Sequence, residues 1–343
     1  MKFKKFFLVM GLMLSILLIG CGKKEVNTKS FEGKNVRVVI GSTSTSGDSY
    51  LIADTISRYL GPELKANMKV DAVGAAEALA AMQTSKPDGN TIMIFHDMTY
   101  LSVAFKSFGD EYKLENMSVG PRMVQNPGAA WAASVNAPYN DLAEIPEYLK
   151  ENPDAICRMA CEAGGVSHIG FIEFYDWVLK NYGQDVANRI VVVIGGSTAD
   201  KCQLLWDGNC DVIFADYTSL KDYTETDDKK IGMKFLALLD NIKGVDVKSY
   251  ADLGIDLNGE QFRFSKDFLI YMPKDFPAEL MDELNKAAAN IAQSEKFNND
   301  LEKMNYRSAY LNSEEAKKFI YNKRNELQQL IDNSPSLDEL VQK

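Results

Sequence analysis

The chain has 343 residues, 46% hydrophobic and 25% charged, an ordinary globular balance. Its 48 acidic side chains against 38 basic ones leave a net charge of −10. That acidity disfavours nucleic acid and any broad polybasic contact with anionic lipid, and the length exceeds what one core usually serves, so two domains are expected.

Lys2, Lys4 and Lys5 precede a nearly uncharged apolar stretch, Phe6 to Gly20, which Cys21 follows. A positive start, an apolar middle and a small residue before the cut are the anatomy of a secretory signal peptide. About fifteen residues at 1.5 Å rise span roughly 22 Å, short of the ~30 Å a membrane-crossing helix needs. The run Leu18-Ile19-Gly20-Cys21 resembles the lipobox of bacterial lipoproteins, which implies that Cys21 receives lipid and becomes the mature N-terminus. The alternative is an ordinary cleaved signal with an incidental cysteine. Residues 1–20 are thus expected to be a signal peptide and 21–35 a lipidated, flexible spacer carrying Lys23, Lys24, Lys29 and Lys34. The rest is expected to be extracytoplasmic and anchored to the bacterial cell membrane. Losing residues 1–20 removes three lysines and no acids, so the lipid and not the protein surface would be the tether.

A strand–loop–helix pattern then repeats. Residues 36–40 are a β-branched apolar run, 41–47 a loop of small residues, and 50–60 a helix with Leu51, Ile52, Ile56 and Leu60 at helical spacing. Residues 69–73 read as a strand, Gly74 onward as a tight loop, 77–83 as a helix, Pro87-Asp88-Gly89 as a turn and 91–95 as a strand. The grammar returns with a strand at 155–160, a loop at 161–167 and a helix at 168–181. A strand at 189–194, a loop at 195–198, a helix at 199–206 and strands at 211–215 and 235–239 follow. Such alternation implies mostly parallel sheets covered on both faces, the α/β class. Two amphipathic helices, 277–297 and 313–331, dominate the last third. Pro277 suits a first-turn position, and Ser313 suits an N-cap before Glu314 and Glu315.

Catalytic signatures are scarce. The only histidines are His96 and His168, and nucleophile-elbow, zinc-protease, phosphate-loop and dinucleotide motifs are absent. Ser167 beside His168 suggests a hydrolytic pair, but adjacent residues seldom point at each other. Cys157, Cys161, Cys202 and Cys210 leave several disulfide pairings open in an oxidising compartment, and Cys202 with Cys210 would close a short loop. Buried free thiols are the expectation. A zinc site on Cys157, Cys161 and His168 is disfavoured, because strand positions four apart lie some 13 Å from each other at about 3.3 Å per residue. No cofactor or metal is expected.

What recurs is a strand, a loop of Gly, Ser, Thr or Ala, and a helix start, after Ile40, Val73, Phe95, Ala160, Ile194 and Ala215. Each junction presents backbone N–H groups and the positive end of a helix dipole, and small residues let an anion approach. In open α/β sheets such loops gather at the carboxyl edge of the strands, where ligands bind. Turns serving topology alone would produce the same pattern.

The order of residues 36–60, Gly74-Ala75 and Pro87-Asp88-Gly89-Asn90-Thr91 resembles the substrate-binding proteins of tripartite tricarboxylate transporters, the Bug or TctC-like family. The second half agrees through Asn126-Pro127, Pro138, Leu142, Glu151-Asn152-Pro153, Gly164, Ser167-His168, Gly196-Ser197, Ala199, Leu204-Leu205, Gly208, Asp211-Val212 and Phe214. The resemblance implies a two-lobed, type II periplasmic-binding-protein fold, with 36–127 plus 263–343 as lobe 1 and 128–262 as lobe 2. It implies a small carboxylate gripped between lobes by backbone amides and hydroxyls, and delivery to the separate permease subunits of a membrane transporter. Matching positions place Thr45, Ser46, Gly47, Asp48, Gly74, Ala75, His96 and Asp97 on the first lobe. Gly164, Gly165, Ser167, His168, Gly196, Ser197, Thr198 and Asp216 fall on the second.

The sequence departs from the family at several of these. Its first loop is Ser42-Thr43-Ser44-Thr45-Ser46-Gly47-Asp48 where Pro-Gly-Gly is usual, Gly74-Ala75-Ala76 keeps part of a Gly-Ala-Gly-Gly loop, and His96-Asp97 stands where small residues are commoner. His96 and Asp97 would read a ligand amine or hydroxyl, or pair at a helix start; the second is the expectation for Asp97. Asp216 lies one residue past the family's usual aspartate. The expected protein is therefore a monomeric, non-enzymatic solute-binding lipoprotein. A sensor presenting solute to a receptor kinase, and a lipid-anchored hydrolase using Ser167 and His168, are the alternatives.

Overall fold

The computed structural model describes residues 30–257 and 260–333, so the expected signal peptide, Cys21 and the expected spacer up to residue 29 lie outside the described residues. In chain order, β1 (Asn35–Ile40), α1 (Asp48–Glu63), β2 (Asn67–Ala72), α2 (Ala75–Thr84), β3 (Thr91–Phe95), α3 (Met98–Ala104) and β4 (Met117–Asn126) build a first unit. After two residues the chain enters β5 (Ala129–Ser134), α4 (Glu144–Glu151), β6 (Cys157–Cys161), α5 (Val166–Tyr182), β7 (Ile190–Ile194), α6 (Thr198–Trp206), β8 (Val212–Asp216), α7 (Tyr217–Thr224) and β9 (Met233–Leu238). It returns through β10 (Lys266–Pro273), α8 (Ala278–Ala292), α9 (Glu295–Glu302), β11 (Arg307–Leu311) and α10 (Ser313–Asn333).

Two large sheets result, ordered β11-β4-β10-β3-β1-β2 and β7-β6-β8-β5-β9, beside a two-stranded pairing of Asp256–Leu257 with Glu260–Gln261. The two-lobed α/β architecture is as expected, but the sheets are mixed and not mostly parallel. β1 pairs in parallel with β2 and β3, and β6 with β7 and β8. The strands at the crossings, β4, β5 and β10, pair antiparallel with their neighbours. β5 enters the second sheet from the first lobe and β10 enters the first sheet from the second, and each runs against a neighbour fed by a helical crossover, β8 and β3 respectively.

One face of the first sheet buries Val38, Ile40, Ile92 and Ile270 against Ile52 and Ile56 of α1 and Leu280 and Leu284 of α8. The opposite face, with Val39, Met93, Phe95 and Tyr271, is continuous with the second lobe's core around Trp131, Phe171 and Phe174, with Ile320 and Leu327 of α10 joining it. Trp131 is fully buried, and its Nε1 donates to Tyr250 Oη at 2.6 Å. Among the described residues, Cys157, Cys161, Cys202 and Cys210 are buried free thiols. Among the described residues no helix is long and apolar enough to cross a membrane.

Three local expectations need correction. The spacer expected to reach Asn35 is folded from Ser30: Phe31 is fully buried, and both residues hydrogen-bond to the Glu283 carboxylate. The helix expected over 277–297 is two helices, because the Ser294 hydroxyl accepts from the Phe297 amide and starts α9 anew. Asn312, not Ser313, caps α10: its side chain accepts from the amides of Glu314 and Glu315, and the Glu315 carboxylate takes the Asn312 amide.

Candidate functional site at the lobe boundary

The expected ligand loops all sit at helix starts, but many of their polar groups already have partners. In the first loop, Ser42 Oγ accepts from the Ser44 amide and Ser44 Oγ from the Ser46 amide, and the Ser44 and Ser46 hydroxyls lie 3.2 Å apart. Thr45 and Ser46 are exposed, and Gly47 precedes α1 as its N-cap. Gly74 caps α2 at φ +90, a left-handed conformation that calls for glycine, and donates its amide to the Ser42 carbonyl. Ala75 opens α2, so the first two loops brace each other.

In the second lobe, Ser167 Oγ accepts from the Glu162 amide at 2.7 Å and donates back to the Glu162 carbonyl. His168 Nδ1 accepts from the Gly164 amide, while Nε2 is buried without a partner. The hydroxyl and the imidazole are thus turned to different backbone groups of one loop, which removes the geometric basis of a Ser167–His168 pair. Ser197 caps α6 through a reciprocal box with Asp200, so its amide and hydroxyl are both engaged. Gly196 and Ser197 are exposed and Thr198 half-buried.

Two of the places where the lobes meet involve expected site residues. At the rim, His168 stacks on Phe105 with ring centroids 3.9 Å apart and planes 15° from parallel. Gly164 sits at φ +72 beneath Ser107, where a Cβ would come within 2.6 Å of the Ser107 hydroxyl. Gly165 caps α5 beside it. At the base, Lys266 of β10 bridges Asp48 of the first lobe and Asp216 of the second, the latter at 2.8 Å. Asn126 reinforces the bridge. Its Nδ2 donates to Asp48 at 3.2 Å and Asp216 at 2.8 Å, and its Oδ1 accepts from the Gly128 amide in the first crossing.

Two buried carboxylates sharing one ammonium cannot ionise alike. Burial opposes the charge on Asp48, but Lys266 overrides it and holds Asp48 well below the usual carboxylate range. Burial first, then the Asp48 charge, pushes Asp216 up to about 6. Lys266 stays charged despite burial, because both carboxylates face it. His96, packed against Phe95 and Phe268, is lowered to about 3 by burial and then by the Lys266 charge. Burial alone lowers His168 to about 4. Both imidazoles are therefore neutral, His96 accepting from the Met98 amide.

Asp97 does not join this group. It is fully buried and accepts from Lys323, the Tyr100 hydroxyl and the Asp267 amide, which pins α10 to the first sheet. Of the two readings expected for Asp97, ligand contact and pairing at a helix start, these partners support the second. Sequence reasoning missed Lys266, Glu162 and Lys201. Lys201 is 5% exposed and lies across Gly195, whose added Cβ would meet its side chain at 2.5 Å. Burial raises Glu162 and lowers Lys201, and each charge partly offsets the shift of the other. The signal for Lys266 was a charged pair, Lys266-Asp267, opening the apolar run Phe268 to Met272.

No protein-family model matches the chain. No curated protein matches it either. Solved structures do. The periplasmic binding protein BugD aligns at TM-score 0.69 and 17% identity, over 91% of this chain and 100% of its own. MatC from Rhodopseudomonas palustris, solved with bound malate, gives 0.68 and 17% over 87% of this chain and 99% of its own. A second R. palustris protein, solved with adipate, gives 0.70 and 13% over 88% and 97%. The likeness is one of fold: this chain has the two-lobed architecture of the Bug and TctC-like binding proteins.

Proposed function

We propose that the chain is an extracytoplasmic solute-binding protein that captures a small carboxylated solute between its lobes and delivers it to a tripartite tricarboxylate-type membrane transporter. The observation that carries this reading is the pairing of a two-crossing hinge with an ion bridge, Asp48–Lys266–Asp216, whose partners come from both lobes. A cleft hinged in this way brings loops from both lobes onto one ligand, so closure depends on binding. The ligand would lie among Thr45, Gly47, His96, Gly165, Gly196, Thr198 and Lys201, the last supplying a cation that Asp48 and Asp216 do not hold. Lobe assignments of 36–127 with 263–343, and 128–262, belong to the same proposal, as does membrane attachment through a lipid on Cys21.

Thermal melting with a panel of small carboxylates, malate and adipate included, tests the reading. A matching acid should raise the midpoint by several degrees and be recovered unchanged by mass spectrometry. No shift with any acid, or turnover of an acid that His168→Ala abolishes, would overturn it.

A further inference from the structure

A second concavity lies outside the cleft. It is a cavity of about 630 Å³ between α5, residues 260–264 and α10, within the roughly 300–1,000 Å³ typical of small-ligand sites. None of the cleft residues named above lines it. Glu173 lines it, 1% exposed, and its Oε2 has no hydrogen-bond partner. A buried carboxyl oxygen without a donor is costly to leave so. Trp177, Phe262, Phe264 and Leu327 supply apolar and aromatic walls.

The charges around the cavity are unbalanced. Its cations are already engaged: Lys180 with Asp256 at 3.5 Å, Arg263 with Asp240 at 3.6 Å, and Lys323 with Asp97 and Asp267 at 2.6 Å each. Glu260 on the loop and Glu326 on α10 add negative charge to the lining.

We propose that this groove is a binding site for a small organic cation, a primary amine with an apolar body, whose ammonium is received by Glu173 and whose body lies against Trp177, Phe262 and Phe264. Aromatic faces attract such cations, and a desolvated carboxylate pairs with them strongly. Burial first, then the charges of Asp176 and Asp256, with Lys180 opposing, pushes Glu173 up to about 8. Near neutral pH it therefore carries a proton, which an incoming ammonium displaces. Amine binding at pH 7 releases that proton to solvent.

Isothermal titration of the full chain with phenethylamine tests this, run in two buffers of different ionisation enthalpy, with phenethyl alcohol as the neutral counterpart. The amine should bind at least tenfold more tightly than the alcohol, with close to one proton released near pH 7 and progressively fewer above about pH 8. Glu173→Gln should weaken the amine at least tenfold and abolish the release. Proton release on the unaltered chain does not depend on any variant folding. No amine binding at millimolar concentration, equal binding of the alcohol, or proton release that persists in Glu173→Gln would overturn the proposal. The acid-induced melting shift expected of the cleft is a separate measurement, so failure at one site is distinguishable from failure at the other.

Discussion

Lys266 and Asp267 are neighbours in sequence but belong to two different networks. Successive strand residues face opposite sides, so Lys266 reaches Asp48 and Asp216 between the lobes, while Asp267 meets Arg122 at 3.0 Å and Lys323 at 2.6 Å beneath α10. The Asp267 network lies wholly within one unit: Asp97, Arg122 and Lys323 all pack on the first sheet, and Lys323 also covers Phe264 at 4.1 Å. The Lys266 network draws its carboxylates from both units. Similar chemistry thus serves two ends. One network fixes a helix in place, and the other ties together parts that must move if a solute is to enter.

That contrast can be broken by variants. The largest expected effect is on stability, from Lys323→Met, which leaves the fully buried Asp97 without a counter-ion and Asp267 with Arg122 alone. Urea unfolding should show a loss of about 3–5 kcal/mol, while affinity for a cleft carboxylate stays within about twofold. A matching loss of affinity would mean that the two networks are not separate. Lys266→Met should cost less, about 2 kcal/mol, because Asn126 still donates to both carboxylates and one of them takes up a proton. It should lower carboxylate affinity at least tenfold by letting the lobes splay, and Asp216→Asn in the same chain should recover part of that loss. Unchanged affinity in Lys266→Met would remove the bridge from the binding mechanism.

The smallest effect is spectroscopic. With only two histidines in the chain, proton NMR resolves both, and neither should titrate between about pH 8 and 5.5. Their folded values are depressed, to about 3 for His96 and about 4 for His168. The stability they confer is therefore complete above about pH 6.5, the unfolded value, and is lost as pH falls toward 4. Lys266→Met should move the His96 titration upward and leave His168 where it is, since only His96 feels the Lys266 charge. A histidine titrating near 6.5 in the unaltered chain would contradict the packing described for it.

The helices and the strands with helical crossovers were legible because their signals are local: β-branched runs closed by small-residue loops, as at 36–47 and 189–198. The crossing strands were not. β4, β5 and β10 are not joined to the strands they pair with by a single helical crossover, and what makes them strands is pairing with segments far away in sequence, as between Lys266 and Asn126. Lys266 went unseen for that reason. The loop positions of the site were found, but sequence could not tell which hydroxyls and amides would be engaged locally. Ser197 with Asp200, and Ser167 with Glu162, illustrate how small polar residues satisfy their own turns first. Asp97 and Asp48 both stand at helix starts and look alike in one dimension. Only the distant partners, Lys323 for one and Lys266 for the other, separate a structural carboxylate from one at the cleft.

The opposed charges that open β10 also bear on how the chain finds its alignment. All eight residues of this strand are buried, so apolar patterning gives no preference for one face over the other. The strand pairs irregularly with β4, with breaks in register on either side of Leu269. A slip of one position would bring Asp267 against Asp48 and Asp216, three acids together, and would turn Lys266 toward Lys323. Each error is electrostatically prohibitive in a dry interior. The adjacent pair therefore favours the observed alignment over a one-residue slip, in a strand whose apolar pattern cannot make that distinction.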